Sequence, residues 1–152
     1  MKQNSNKTYS IKEIIPRVGG IRSNVEIDGI KVKAGSMALR LLKQNPKSHC
    51  IFCKAKPTYA KIATDPRNDR NFLVVYGKRR NGKTVRMNHD HIIPDSRGGS
   101  GEIENAQILC EPCNQEKGDL TNIEYYAVLA IRKIAQIKNK LLTKVQIYAT
   151  ML

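Results

Sequence analysis

Residues 88–119 read NHDHIIPDSRGGSGEIENAQILCEPCNQEKGD, and this stretch decides the fold. It holds two of the chain's three histidines, His89 and His91, on either side of Asp90. An imidazole is the natural proton acceptor near neutral pH, and a carboxylate is a typical ligand of a hard cation. Taken alone, the stretch fits a reactive centre or simply a half-exposed strand that carries polar residues.

The same stretch contains one of two Cys-x-x-Cys pairs, Cys50–Cys53 and Cys110–Cys113, which together hold all four cysteines. Two such pairs in a chain without export features favour a tetrahedral site of four thiolates. The 56 residues between Cys53 and Cys110 exceed the usual ribbon spacing and predict a large insertion. Disulfides are the alternative, and a redox motif would explain only one pair. We predict a structural zinc site.

The charge is strongly positive, with 27 basic and 13 acidic residues and a net charge of +14. This balance favours a polyanionic partner. Residues 87–120 reverse the sign, with seven acidic and two basic residues. The scarcity of aromatic residues argues against a single-strand binder built on stacking and favours contact with a duplex backbone.

The N-terminus does not resemble a signal peptide, and the longest apolar run (residues 125–131) is too short to span a bilayer. We interpret the chain as a soluble, intracellular protein with no membrane partner.

Local patterns predict the elements around the quoted stretch. Residues 1–23 are interpreted as a loosely structured basic lead-in. Asp28-Gly29 within residues 25–32 predicts one hairpin, and Asn81-Gly82 predicts a second, with strands at 72–79 and 83–94. Residues 36–44 have helical composition.

A long helix is predicted from Thr121, which with Glu124 forms a capping-box pattern. An apolar stripe runs along it through Ile123, Ala127, Ala130, Ile134, Ile137 and Leu141. Such a stripe usually packs on its own domain. Dimerisation through the helix is the alternative.

In their order, the residues of the quoted stretch resemble the HNH nuclease family and its ββα-metal core. The matching pattern is Asp90-His91-Ile92-Ile93-Pro94, Ser96-Arg97-Gly98-Gly99, Asn105, Leu109-Cys110, Cys113-Asn114 and Lys117-Gly118. The resemblance covers about 32 contiguous residues and the upstream Cys50–Cys53 pair.

The resemblance implies the catalytic roles. His91 is the general base, and Asp90 and Asn114 are ligands of a catalytic Mg²⁺ or Mn²⁺. Asn105 holds the loop that carries the base. His89 stands where the family usually has an apolar residue. We predict that it contacts the scissile phosphate or helps to hold the metal, with a surface histidine beside a nucleic-acid groove as the alternative.

Basic side chains near the pattern are the predicted nucleic-acid contacts. They are Lys78, Arg79, Arg80, Lys83, Arg86, Arg97 and Lys117.

The predicted fold is therefore α+β, with a ββα-metal core held by a four-cysteine zinc site. We divide the chain into a basic N-terminal extension with hairpin and short helix (1–46), a zinc-bound nuclease core (47–120) and an amphipathic helix (121–152). The predicted function is a metal-dependent HNH-type endonuclease acting on duplex DNA, similar to small phage or mobile-element nucleases. A non-catalytic zinc-containing nucleic-acid-binding module is the alternative.

Overall fold

The strand that carries both histidines pairs with two different neighbours in turn, and this arrangement organises the fold. The structure, a computed structural model, describes residues 7–150. Seven strands form one sheet within this range. In chain order the elements are β1 (Tyr9–Ser10), α1 (Ile11–Ile14), β2 (Asn24–Ile27), β3 (Ile30–Lys33), α2 (Met37–Gln44), β4 (Lys56–Asp65), β5 (Arg70–Lys78), β6 (Thr84–His91), β7 (Ala106–Cys110), α3 (Glu111–Lys117) and α4 (Asn122–Thr150).

Both predicted hairpins and the helix at 36–44 are confirmed. Asp28 and Gly29 join β2 to β3 with φ of 52° and 75°, the left-handed pair that a two-residue hairpin turn requires. Gly82 lies in the turn between β5 and β6 with φ of 79°. The Ser36 side chain caps α2 by accepting a hydrogen bond from the Leu39 backbone N–H.

The sheet also contains a long strand that the sequence did not disclose. β4 pairs antiparallel with β5 along nearly its whole length, from Lys56↔Lys78 to Asp65↔Arg70. Ala60 and Ile62 on β4 and Val75 on β5 are buried in the hydrophobic core. α2 lies against β6 and β7, and its buried side chains belong to the same core.

The lead-in at 1–23 is ordered from residue 7 onward, which corrects the expectation of a loose segment; residues 1–6 lie outside the described range. β1 pairs with β4, and Ser10 and Glu13 form a capping box at the start of α1. Ile14 and Val18 are each 1% exposed. Burial of these side chains explains the order, and the Ser10-x-x-Glu13 pattern was a readable signal for it.

The sheet divides at β5, because β3 and β6 both pair with the same edge of this strand. β3 runs parallel to the start of β5 (Lys33↔Phe72), whereas β6 runs antiparallel to its end (Val75↔Met87). Beyond Met87, β6 leaves β5 and pairs with β7 as far as His91↔Ala106. The histidines therefore lie where β6 has separated from β5 and pairs with β7.

The long predicted helix is present, but its apolar stripe does not pack on the domain. Ile123, Ile134, Ile137 and Leu141 are between 51% and 83% exposed, so the expectation of a packed stripe is wrong. The first turns of the helix dock: Tyr125 is 1% exposed, its ring lies edge-on to Phe52 at 4.6 Å, and its hydroxyl donates to Glu116 at 2.9 Å. Dimerisation through the stripe stays a prediction. No helix in the described range is long and apolar enough to cross a membrane.

The capping box at the start of α4 also anchors this helix to the loop after β6. Glu124 accepts hydrogen bonds from the Thr121 N–H at 2.8 Å and from the Arg97 guanidinium at 2.7 Å. The bond from Arg97, followed by those from Thr121, lowers the pKa of Glu124 to about 2.

We expect Glu124→Gln to be destabilising at neutral pH and nearly neutral in acid. Because the folded-state pKa is depressed, the stabilisation is complete above the ordinary glutamate pKa of about 4.3 and is lost as the pH falls towards 2. Urea unfolding of both proteins across this pH range measures the difference. The exposed Glu104→Gln is the matched control, and a pH-independent difference would contradict this assignment.

Candidate active site and metal centre

The four cysteines converge on one point, as predicted. Their sulfur atoms all lie within 4.8 Å of one another, and Cys53 Sγ is 3.4 Å from Cys110 Sγ. All four are free thiols, and Cys50, Cys110 and Cys113 are buried. In a tetrahedral zinc site with Zn–S of 2.3 Å the sulfurs stand about 3.8 Å apart, so this spacing fits one metal ion such as zinc.

Local backbone geometry directs each pair of sulfurs inward. In the first pair, Lys54 adopts φ of 63°, its N–H donates to the Cys50 carbonyl and the Cys50 N–H donates to Ala55. In the second pair, Cys110 ends β7 and caps α3, so Cys113 follows within the first helical turn. Pro112 lies in that turn, where its missing N–H costs nothing.

The close packing of the thiols changes their pKa values in opposite directions. A hydrogen bond from Cys113 lowers the pKa of Cys50 to about 4, whereas burial raises the pKa of Cys110 to about 11. The bond to Cys50, together with burial, also raises the pKa of Cys113. The surroundings thus favour the thiolate of Cys50 and disfavour the thiolates of Cys110 and Cys113. A divalent cation would supply the missing positive charge, which is the behaviour expected of a metal site.

Both histidines lie on one side of β6, at its free end. The His89 and His91 rings are edge-on with centroids 6.1 Å apart, as the two-residue period of a strand requires. His91 lines a cavity of about 340 Å³ together with Asp90, Asp95, Lys117 and Asp119. His89 lines a neighbouring cavity of about 330 Å³ together with Asn88, Arg86 and Asn114. Burial, followed by the proximity of His91, lowers the pKa of His89.

Asp90 is held by two donors that come from different elements. Its Oδ2 forms an ion pair with Lys117 Nζ at 2.9 Å and accepts a hydrogen bond from Gln107 Nε2 at 2.9 Å. Lys117 also donates to the His91 carbonyl at 2.9 Å. One ammonium group thus fixes both the side chain of Asp90 and the backbone of the neighbouring histidine.

Lys117 is therefore not a surface contact, and its predicted role in nucleic-acid binding is wrong. The residue is only 2% exposed. A buried ammonium requires a charged partner and hydrogen bonds, which Asp90 and the His91 carbonyl provide. Gln107, which the sequence analysis missed, exchanges hydrogen bonds with Asn122 and so links Asp90 to the start of α4. The sequence signal for its role was a single glutamine in the otherwise apolar strand β7.

Asn105 fixes the loop after β6, in the position that its predicted role requires. Its side chain accepts from the Ile93 N–H at 2.9 Å and donates to the Ile93 carbonyl at 2.9 Å and the Ser100 carbonyl at 2.7 Å. Gly99 packs so closely that an added Cβ would lie 1.8 Å from the Ile93 carbonyl oxygen. The chain therefore turns immediately after His91, and both Asp90 and His91 reach the cavity at the strand end.

The two predicted ligands of the catalytic cation lie in different cavities. Asp90 lines the cavity with His91, and Asn114 lines the neighbouring cavity with His89. Asp95, whose Oδ1 is 3.7 Å from His91 Nδ1, and Asp119 add carboxylates beside Asp90. A set of carboxylates open to water has the chemistry that Mg²⁺ or Mn²⁺ prefers.

The remaining predicted nucleic-acid contacts fall into four environments. Lys78, Arg80 and Lys83 are exposed at the β5–β6 turn. Arg79 lies beside the cysteine cluster. Burial lowers the pKa of its guanidinium, but a hydrogen bond to Cys53 and the charge of the nearby cysteines outweigh this effect and raise the pKa. Arg97 pairs with Glu124. Arg86 lines the His89 cavity, and its Nε is buried without a protein partner.

Comparison with known families agrees with this geometry. Residues 78–124 match the HNH endonuclease family. The predicted resemblance is confirmed for this segment, which covers β6, β7, α3 and the start of α4. No curated protein and no solved structure matches the chain. At the level of the family, the match indicates a nuclease that acts on nucleic acid.

We expect Lys117→Met to lower the free energy of unfolding by about 3–5 kcal/mol, because it leaves a largely buried carboxylate without its cation. The salt dependence of duplex binding should stay unchanged, since the Lys117 side chain is only 1% exposed. Urea unfolding and fluorescence anisotropy measure the two effects. A variant with normal stability and weakened duplex binding would restore Lys117 as a nucleic-acid contact.

Proposed function

We propose that the protein is a metal-dependent HNH-type endonuclease that hydrolyses phosphodiester bonds in duplex DNA. The observation that carries this proposal is the placement of His91, on a fixed strand end and in a cavity with three carboxylates, within a segment that matches the HNH endonuclease family. Such a nuclease needs a base for water and positive charge for the phosphate.

His91 acts as the general base in this proposal. Its imidazole is 25% exposed, so a water molecule can reach it. Lys117 and Asn105 are positioning residues: the first bonds the His91 carbonyl and the second bonds both polar groups of the Ile93 backbone. These contacts restrict where the imidazole can move relative to the phosphate.

A divalent cation, Mg²⁺ or Mn²⁺, would be held by Asp90. Asn114, the second ligand in this proposal, lines the neighbouring cavity and would have to reach the same ion from there. The carboxylates beside Asp90 fit such an ion. When bound, it supplies positive charge to the phosphate and to the departing 3′ oxygen. Family analogy implies 5′-phosphate and 3′-hydroxyl products.

His89 contacts the phosphate in this proposal. Burial and the proximity of His91 lower its pKa and so favour the neutral ring, which can donate a hydrogen bond to a phosphate oxygen. Arg86, in the same cavity, has a buried Nε without a protein partner and is the charged donor available there.

Zinc bound by the four cysteines has a structural role in this proposal. All four ligand positions are thiolates, which leaves no open position for substrate. We further propose an intracellular setting, in a phage or mobile element, where these thiols stay reduced.

The alternative is a non-catalytic zinc-containing module that binds nucleic acid. The ion pair between Asp90 and Lys117 favours it, because the ammonium already neutralises the carboxylate assigned to the catalytic cation. Cleavage of DNA separates the two functions, since binding alone cannot break a phosphodiester bond.

We expect wild-type protein to nick supercoiled plasmid in the presence of magnesium, and His91→Ala to be slower by roughly two to four orders of magnitude, the usual contribution of a general base. His89→Ala, from the same side of β6, is the matched comparison and should reduce the rate less. Agarose electrophoresis over a time course measures all three rates.

Three results would count against the proposal. Wild-type protein that binds the plasmid without nicking it would favour the non-catalytic module. Cleavage by His91→Ala within about threefold of wild type, far less than a general base contributes, would remove His91 from its role. A larger loss in His89→Ala would mean that the two histidines are assigned in the wrong order.

A further inference from the structure

Two large concave surfaces lie on the N-terminal side of the sheet, outside the segment that matches the nuclease family. One has a volume of about 690 Å³ and the other about 670 Å³, and both are lined by Lys33, Arg70 and Asn71. The larger one also shares Ser36, Phe72 and Leu73 with the His89 cavity. The three depressions therefore form one continuous groove that ends at His89 and Asn114.

The division of the sheet explains why this groove exists. β3 and β6 pair with the same edge of β5, but the pairing of β3 reaches only Phe72 and that of β6 begins at Val75. Leu73 and Val74 lie between them and line the His89 cavity. The groove follows this edge of β5 from Arg70 to the strand end that carries the histidines.

Four cations line the outer part of this groove, and we call them the groove cations: Arg22, Lys31, Lys33 and Arg70. All four are exposed, and none takes part in an ion pair found within residues 7–150. Lys31 and Lys33 share one face of β3 because Val32 between them is fully buried.

Acidic residues near the groove cations only partly offset their charge. Asp69 lines the same depression, and Glu26 lies opposite Lys31 on β2. Asp65 lines the larger depression but is neutralised by Arg67 at 2.9 Å. The outer groove therefore keeps a positive charge.

We propose that this groove is a second DNA-binding surface, which holds the phosphate backbone of the duplex on one side of the bond to be cleaved. The proposal rests on the function proposed above. β5 advances roughly 3.3 Å per residue, so Arg70 and Val75 are about 17 Å apart along the strand. This length corresponds to about five nucleotides of one strand at 3.4 Å each. All four groove cations line the outer depression, so they would contact the backbone at the end of the groove that lies away from His89.

The test compares two variants with the same change in net charge. The groove variant is Arg22→Gln/Lys31→Gln/Lys33→Gln/Arg70→Gln. The control variant is Lys12→Gln/Lys47→Gln/Lys138→Gln/Lys140→Gln, at exposed positions outside the groove. Circular dichroism and bound-metal content verify that both fold as wild type. The double variant Arg22→Gln/Arg70→Gln, which leaves β3 untouched, replaces the groove variant if that one does not fold.

Fluorescence anisotropy with a labelled duplex several turns long gives the salt dependence of binding. Each phosphate contact contributes about 0.9 to the slope of log affinity against log salt, so the groove variant should lose about three to four units of slope and the double variant about half of that. The control variant should lose at most about one unit. Equal losses in both variants, or no loss in the groove variant, would overturn the proposal.

Hydrolysis of bis(p-nitrophenyl) phosphate, a small phosphodiester, separates this proposal from the proposed function. The groove variant should hydrolyse it at the wild-type rate, because the groove cations lie away from His91. A loss of this activity in the folded groove variant would overturn the proposal by making these residues part of the reacting centre. If wild-type protein hydrolyses neither the ester nor plasmid, the proposed function fails, and the anisotropy comparison still decides whether the groove binds DNA.

Discussion

The convergence of four cysteines from two distant segments is the constraint on which the rest of the structure depends. Cys50 and Cys53 lie between α2 and β4, whereas Cys110 and Cys113 join β7 to α3. Their sulfurs meet within 4.8 Å, so the N-terminal part of the sheet and the histidine-bearing strand have a fixed relation. The same loop presents Phe52 to Tyr125 and thereby docks the start of α4.

The cluster and the candidate active site are linked by one short helix. Cys113 lies in the first turn of α3, and Lys117 lies at its end. Lys117 forms an ion pair with Asp90 and donates to the carbonyl of His91. A displacement of the cysteines would therefore move α3 and, through Lys117, both of these residues. A metal ion at the cluster can therefore control the reacting geometry without taking part in the reaction. The charge of the thiolates explains why a cation is needed, since the protein alone favours the ionised form of Cys50 but disfavours that of Cys110 and Cys113.

The sequence predicted the elements whose signals are local. The turns at Asp28-Gly29 and Gly82, the cap at Ser36 and the capping box at Thr121 all lie within a few residues of what they determine. β4 was missed because its order comes from pairing with β5, which is a tertiary effect. Lys117 was misassigned because a lysine is ordinarily exposed, and only the fold shows that Asp90 comes within reach of it. The apolar stripe of α4 has a helical period whether or not a surface covers it, so the sequence could not predict its exposure.

The most direct test of this account is X-ray absorption at the zinc edge of the purified protein. We predict one zinc per chain, with four sulfur neighbours at about 2.3 Å and no nitrogen or oxygen in the first coordination sphere. Nitrogen or oxygen neighbours at about 2.0 Å, or a folded protein without zinc, would contradict it. Either result would leave the convergence of the two cysteine pairs, and the position of α3 that carries Lys117, without its proposed physical cause.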